Sequence, residues 1–177
     1  PSLPRSRERR RVWSAAASTG EELYSVAMLL AEHLGPDRAQ ARFALLGTDL
    51  VPKVVRIAER AEYGAAAMKS VSPERRARWF EPVGGGRFRV GPDLKAMCTL
   101  RRLNLVTPRW PFEHGFSLIL CRNVLYYFDK PVRRSIVQRL FEVCEPGGWL
   151  LTSVSESLHE LRSPWTTVSS GVHRKPR

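Results

Sequence analysis

Residues 12–30, VWSAAASTGEELYSVAMLL, join an apolar run, a turn of small and polar residues and an amphipathic stretch, and so read as strand, turn and helix. A turn of this kind at the end of a strand can build a nucleoside site. It carries one glycine, Gly20, where the dinucleotide fingerprint needs three at fixed spacing, so alone it selects no ligand.

The same order recurs along the chain, which predicts an α/β fold with a mostly parallel sheet and helices on both faces. The first strand is expected over 11–15. A helix over 20–34 puts Leu23, Val26, Ala27, Leu30 and Leu34 on one face before Gly35-Pro36 stops it. Residues 42–48 read as a second strand ending at Asp49, and 51–63 as a helix with Pro52 in its first turn. Ser72 as cap and Pro73 at the first helical position mark a short basic helix to Phe80. Residues 82–90, PVGGGRFRV, read as an antiparallel hairpin, within a small insertion over 82–103 of a single domain covering 1–177. Strands are expected over 97–105 and 116–121, the latter buried and central, then a helix over 132–144 ended by Pro146-Gly147-Gly148. A strand over 149–154 and an antiparallel pair over 165–173 follow, with 174–177 trailing into solvent and a frayed basic opening at the other end.

Composition removes several function classes. No apolar run approaches the roughly 20 residues of a membrane span, and the chain opens on Pro, Ser and Arg, so a soluble cytoplasmic protein is expected. Cys98, Cys121 and Cys144 are widely spaced, and His33, His114, His159 and His173 are scattered, so neither a disulfide framework nor a metal site is indicated. The formal charge of +12 suits an anionic partner, with arginines grouped over 5–11, at Arg75, Arg76 and Arg78, at Arg101 and Arg102, and at Arg133 and Arg134. Nucleic acid is disfavoured, because the chain has no Asn-Pro-Pro-aromatic or Asp-Pro-Pro-aromatic tetrapeptide and no aromatic-rich basic stripe.

Six segments carry a resemblance: WSAAASTGEE at 13–22, LGTDL at 46–50, LNL at 103–105, CRNVLYYFD at 121–129, PGG at 146–148 and SESL at 155–158. In register over nearly the whole chain, they closely resemble the CheR family, which methylates glutamates of bacterial chemoreceptors. The resemblance implies a Rossmann-like class I methyltransferase fold with S-adenosyl-L-methionine across the carboxyl edge of the sheet and S-adenosyl-L-homocysteine as product. It implies cofactor contacts from the turn bearing Ala15, Ala16 and Gly20, from Glu22, and from Asp49 on the ribose or adenine side. Asn104 and Leu105 would border the adenine, and Arg122 and Asn123, just after the central strand, would also contact the cofactor. Tyr127 would lie beside the transferred methyl, leaving Tyr126 to face the core. The residues alone keep plainer readings open: acids favour a helix N-terminus, Asp49 suits an N-cap, Arg122 or Asn123 could tie a turn, and a Tyr-Tyr pair could simply pack.

The expected partner is a methyl-accepting chemotaxis receptor, met through its acidic helices. Departures from the family also bear on function. The resemblance covers the catalytic C-terminal domain without the usual N-terminal helical domain and its Thr-Asn-x-Thr-x-Phe-Phe-Arg segment, which fits a piece of a longer protein. Leu23 stands where proline is common, and Ser117 where aspartate is common. The hairpin is short, with Arg87 and Arg89 on alternate positions, so weak or absent tethering of a receptor-tail peptide is expected. These departures keep a second reading open, a weak or inactive cofactor-binding scaffold within a larger signalling protein.

Overall fold

The computed structural model describes residues 9–113 and 115–177. The basic opening with Arg5 and Arg7, and also His114, lie outside the described residues. Strand β1 (Arg10–Ser14) leads through a turn into α1 (Glu21–Leu34), which α2 (Pro36–Arg42) follows at once. Next come β2 (Phe43–Asp49), α3 (Pro52–Arg60), β3 (Glu62–Tyr63), α4 (Pro73–Trp79), β4 (Phe80–Gly84), β5 (Arg87–Val90), α5 (Pro92–Lys95) and β6 (Cys98–Arg102). The remainder holds β7 (Phe116–Leu120), α6 (Lys130–Val143), β8 (Cys144–Leu151), β9 (Thr166–Ser169) and β10 (Val172–Arg174).

Seven strands form one sheet in the order β6-β2-β1-β7-β8-β10-β9, parallel from β6 to β8 and antiparallel at β10 and β9. The chain steps outward from β1 to β2 and β6, then returns to β7 on the other side of β1. Strand order therefore reverses between β1 and β7, and in open α/β sheets ligands bind beyond the carboxyl ends at such a point. Period-two side-chain alternation feeds both faces. Val12, Leu45 and Leu120 join one core with α1, α2, α3 and α5, while Trp13 and Ile119 join another with α6. A second sheet, β3-β5-β4, is antiparallel. No helix among the described residues is long and apolar enough to cross a membrane.

Several boundaries differ from the sequence reading, each for a local reason. Gly35 ends α1 at φ 80°, but Pro36 then serves as the first residue of α2, a position where its missing N–H costs nothing. The helix expected to reach Tyr63 stops at Arg60, because Ala61 turns left-handed at φ 56° and donates its N–H to Ile57. Residues 62–63 then pair with β5. The antiparallel sheet accordingly draws on Glu62–Tyr63 as well as the hairpin, whereas Cys98–Arg102, placed by the sequence reading inside the 82–103 segment, joins the parallel sheet beside β2.

Pro146-Gly147-Gly148 is not a turn after α6 but an irregular stretch within β8, where the register against β7 shifts. A Cβ on Gly148 would stand 2.6 Å from the Cys144 sulfur, so the bulge requires glycine. Of residues 174–177, expected to trail into solvent, Arg174 pairs in β10 and Lys175 is half-buried, while Pro176 and Arg177 are exposed. Lys175 donates its N–H to Gly148 and its ammonium to Phe141 and Cys144 carbonyls at 2.6 and 2.7 Å, which places a cation at the carbonyl end of α6. At the departures from the family, Leu23 is fully buried in the α1 core and Ser117 donates its hydroxyl to the Arg11 carbonyl across β7 and β1.

Candidate active site

The turn between β1 and α1 is built from buried hydrogen bonds. Trp13 Nε1 donates to Thr48 Oγ1 at 2.9 Å, and that hydroxyl donates to the Ala15 carbonyl at 3.0 Å. Ala17 adds its N–H to the Thr48 carbonyl at 2.8 Å. These bonds lock the ends of β1 and β2 side by side. Ala15 is buried, with its N–H given to the Leu120 carbonyl at 2.8 Å, and Ala16 is half-buried. Gly20 adopts φ 95°, and a Cβ there would meet Ala58 Cβ at 3.0 Å and the Tyr63 hydroxyl at 3.1 Å. The room its missing side chain leaves is thus filled by the protein behind the turn.

Glu22, in the first turn of α1, accepts from Ser14 Oγ at 2.8 Å and from Arg122 Nη1 at 3.1 Å. Glu21 instead takes the Thr19 hydroxyl, so the two neighbouring acids have separate work. Asp49 accepts Ser18 N–H on one oxygen and Val51 N–H on the other, both at 3.0 Å. The single turn over 14–22 is therefore bonded to Arg122 after β7 and to Asp49 at the end of β2. Each Asp49 oxygen has one backbone donor and keeps acceptor capacity for a hydroxyl.

Asn104 is exposed and folds its carbonyl oxygen onto Val106 N–H at 3.0 Å, a local Asx turn. Leu105 is 6% exposed and belongs to the core with Trp13 and α6. Neither side chain makes a described hydrogen bond to the turn over 14–22, and Leu105 meets it only through the core it shares with Ala15.

The loop after β7 is held by a residue that sequence reasoning missed. Glu156 is 6% exposed, yet its carboxylate accepts N–H bonds from Asn123 at 2.9 Å, Val124 at 2.8 Å and Leu125 at 2.7 Å, and from Ser153 at 3.1 Å. Asn123, at φ 57°, shares its N–H with Ser153 Oγ. The available signal was the Ser153-x-x-Glu156 spacing, a capping-box pattern in which the glutamate reaches back to the serine N–H.

The 3-10 turn Leu125–Tyr127 follows from this anchoring. Three residues per turn spread three side chains around the axis, so only one faces inward. Leu125 takes that place at 1% exposure, and Tyr126, expected in the core, stands out at 53% beside Tyr127 at 73%. Their rings lie 4.4 Å apart and their hydroxyls 3.4 Å. The bond to Tyr127 pushes the Tyr126 phenol above its ordinary range. Cys121, at the end of β7, is buried, and desolvation pushes its thiol up as well.

Chemically, this rim offers carboxylates for cationic and hydroxyl-bearing groups, a guanidinium and two phenols. That donor set fits S-adenosylmethionine: Glu22 can meet a cationic group and Asp49 a vicinal diol.

The profile of the CheR methyltransferase SAM-binding domain matches residues 2–173. A probable chemotaxis protein methyltransferase of Rhizobium etli is 41% identical over 155 residues, 86% of this chain and 57% of the relative. Chemotaxis protein methyltransferase 1 of Pseudomonas aeruginosa is 37% identical over 164 residues, 91% of this chain and 60% of the relative. The chain thus spans less than two thirds of the length of the curated relatives it matches. Among solved structures, the DszA carbon methyltransferase is similar with a TM-score of 0.54 at 18% identity, over 84% of this chain and 29% of that one. The sheet order and its two helical layers are those of the class I methyltransferase fold that the sequence resemblance implied.

Proposed function

The chain belongs to the CheR methyltransferase family, and on that premise we propose that it transfers a methyl group from S-adenosylmethionine to glutamate carboxylates on the acidic helices of chemotaxis receptors in the cytoplasm. The observation that carries this reading is the turn over 14–22, which joins Glu22 to Arg122 and Ser18 to Asp49 at the point where strand order reverses.

When bound, S-adenosylmethionine supplies a sulfonium methyl that a carboxylate oxygen attacks in line, the carbon–sulfur electron pair leaving on sulfur. A glutamate is already ionised near neutral pH, so the protein needs no general base. Its residues bind and orient. Glu22, steadied by Ser14 and Arg122, receives a cationic group; Asp49 receives the diol; Ala15 and Ala16 bring backbone close; Gly20 fixes the turn. Asn104 and Leu105 bound the adenine side, with Leu105 acting from the core wall rather than as an exposed face. Asn123 fixes the loop, and the Tyr127 hydroxyl orients the acceptor carboxylate.

The test is transfer of labelled methyl from the cofactor to a receptor cytoplasmic fragment. A base-labile ester is expected, absent when the target glutamates are alanine; an unlabelled fragment under saturating cofactor overturns the reading. Calorimetry with S-adenosylhomocysteine checks the pocket: Glu22→Gln should weaken binding by about tenfold or more, the scale of one hydrogen bond to a charged group.

A further inference from the structure

We infer that Tyr126 is a second hydroxyl of the acceptor site, clamping the substrate carboxylate together with Tyr127 and favouring glutamate over glutamine. The inference deepens the function proposed above and rests on it. Its first support is placement. Buried tyrosines such as Tyr24 and Tyr63 give their hydroxyls to the Ala58 and Thr19 carbonyls, whereas the hydroxyls of Tyr126 and Tyr127 have only each other among the described bonds.

Their separation of 3.4 Å is long for an O–H···O bond, which prefers about 2.5–3.0 Å. Neither hydroxyl satisfies the other well, so both remain available to a better acceptor. A carboxylate is acceptor-only, and its two oxygens can each take one phenol in a short charge-assisted bond. A glutamine amide offers one neutral oxygen, and the second phenol can only accept its N–H, so both bonds lose the charge assistance that a carboxylate gives.

The backbone beneath the pair is fixed. Leu125 is buried as its anchor, Glu156 holds Val124 and Leu125 N–H, and Tyr127 N–H closes onto the Val124 carbonyl at 3.2 Å. The hydroxyls therefore arrive together, without ordering a loop on binding. A phenol titrates near about 10, so both hydroxyls carry their protons and can donate at neutral pH.

The experiment measures binding of two receptor cytoplasmic fragments, one with glutamate and one with glutamine at the methylation positions, to the chain saturated with S-adenosylhomocysteine. The parent should prefer glutamate by about tenfold, and Tyr126→Phe, which keeps the ring and its stacking, should lose about that factor for the glutamate fragment alone. Thermal stability and S-adenosylhomocysteine affinity should not move, and in turnover KM for the fragment should rise more than kcat falls. Parent-like glutamate binding by Tyr126→Phe overturns the clamp even if methyl transfer is intact, as does failure of the parent to bind the glutamate fragment. If the parent binds and Tyr126→Phe loses the preference, but no methyl is transferred, the clamp stands and the proposed function fails.

Discussion

Glu156 ties together backbone groups about thirty residues away, and its removal has a calculable cost. Alanine there leaves the N–H groups of 123–125 and 153 without their charged acceptor, those of Leu125 and Ser153 in buried positions. We expect Glu156→Ala to lower stability by roughly 3 kcal/mol, the scale of unpaired buried donors, read as a drop in Tm. Glu156→Gln should fall between, because an amide has one acceptor oxygen for the same donors. Gly20→Ala should also destabilise, by roughly 1–3 kcal/mol, from its positive φ and the contact with Ala58. At this scale the sequence placed Glu22 in the first turn of α1 and Asp49 at the end of β2, where the structure has them. It misleads where orientation decides: Tyr126 faces out, because a 3-10 turn sets its direction.

Elements were read well where a cap or breaker acts alone, as at Ser72-Pro73, whose hydroxyl accepts Arg75 N–H. They were misread where the same residues serve a sheet. Gly147-Gly148 has turn chemistry, but β7 offers a pairing edge that makes it a bulge, and no local signal reveals that edge. The terminal pair depends on tertiary partners in the same way. His173 on β10 is 2% exposed between Thr152 and Thr167 hydroxyls at 3.3 and 3.1 Å, and burial lowers its pKa. A histidine lowered on folding takes up a proton on unfolding. Its contribution is therefore fully present above the unfolded value of about 6.5 and is lost as pH falls below it toward the folded value. Tm should fall between about pH 7.5 and about 5.5, with a shallower slope in His173→Gln. In the antiparallel sheet, Arg87 and Arg89 both pair with Glu62, at 3.2 and 2.6 Å, which engages the charges a receptor tail would need. We expect no micromolar complex with such a peptide; one mapped to the hairpin would contradict this.

For the whole molecule, the alternation of strand and helix sufficed to predict the layered sheet, and the order reversal between β1 and β7 gathers segments that lie far apart in sequence. Charge acts at this scale too, and in two opposing senses. The sequence carries 29 basic and 17 acidic residues, a formal +12. The ion pairs at Glu22, Glu32 and Glu62 engage Arg122, Arg75, Arg87 and Arg89, and these acids are a small share of the balance, so the folded chain repels itself while attracting anionic surfaces. Salt screens both effects over about 10 Å at 0.1 M. Raising sodium chloride from roughly 50 mM to roughly 500 mM should slow association with an acidic receptor fragment by about tenfold or more, chiefly through kon, and should raise Tm. Stopped-flow association and thermal melts on the same samples separate the two. If kon were flat and Tm fell, the positive charge would be compensated locally by pairs, and docking would rest on the tyrosine rim rather than on the field of the whole molecule.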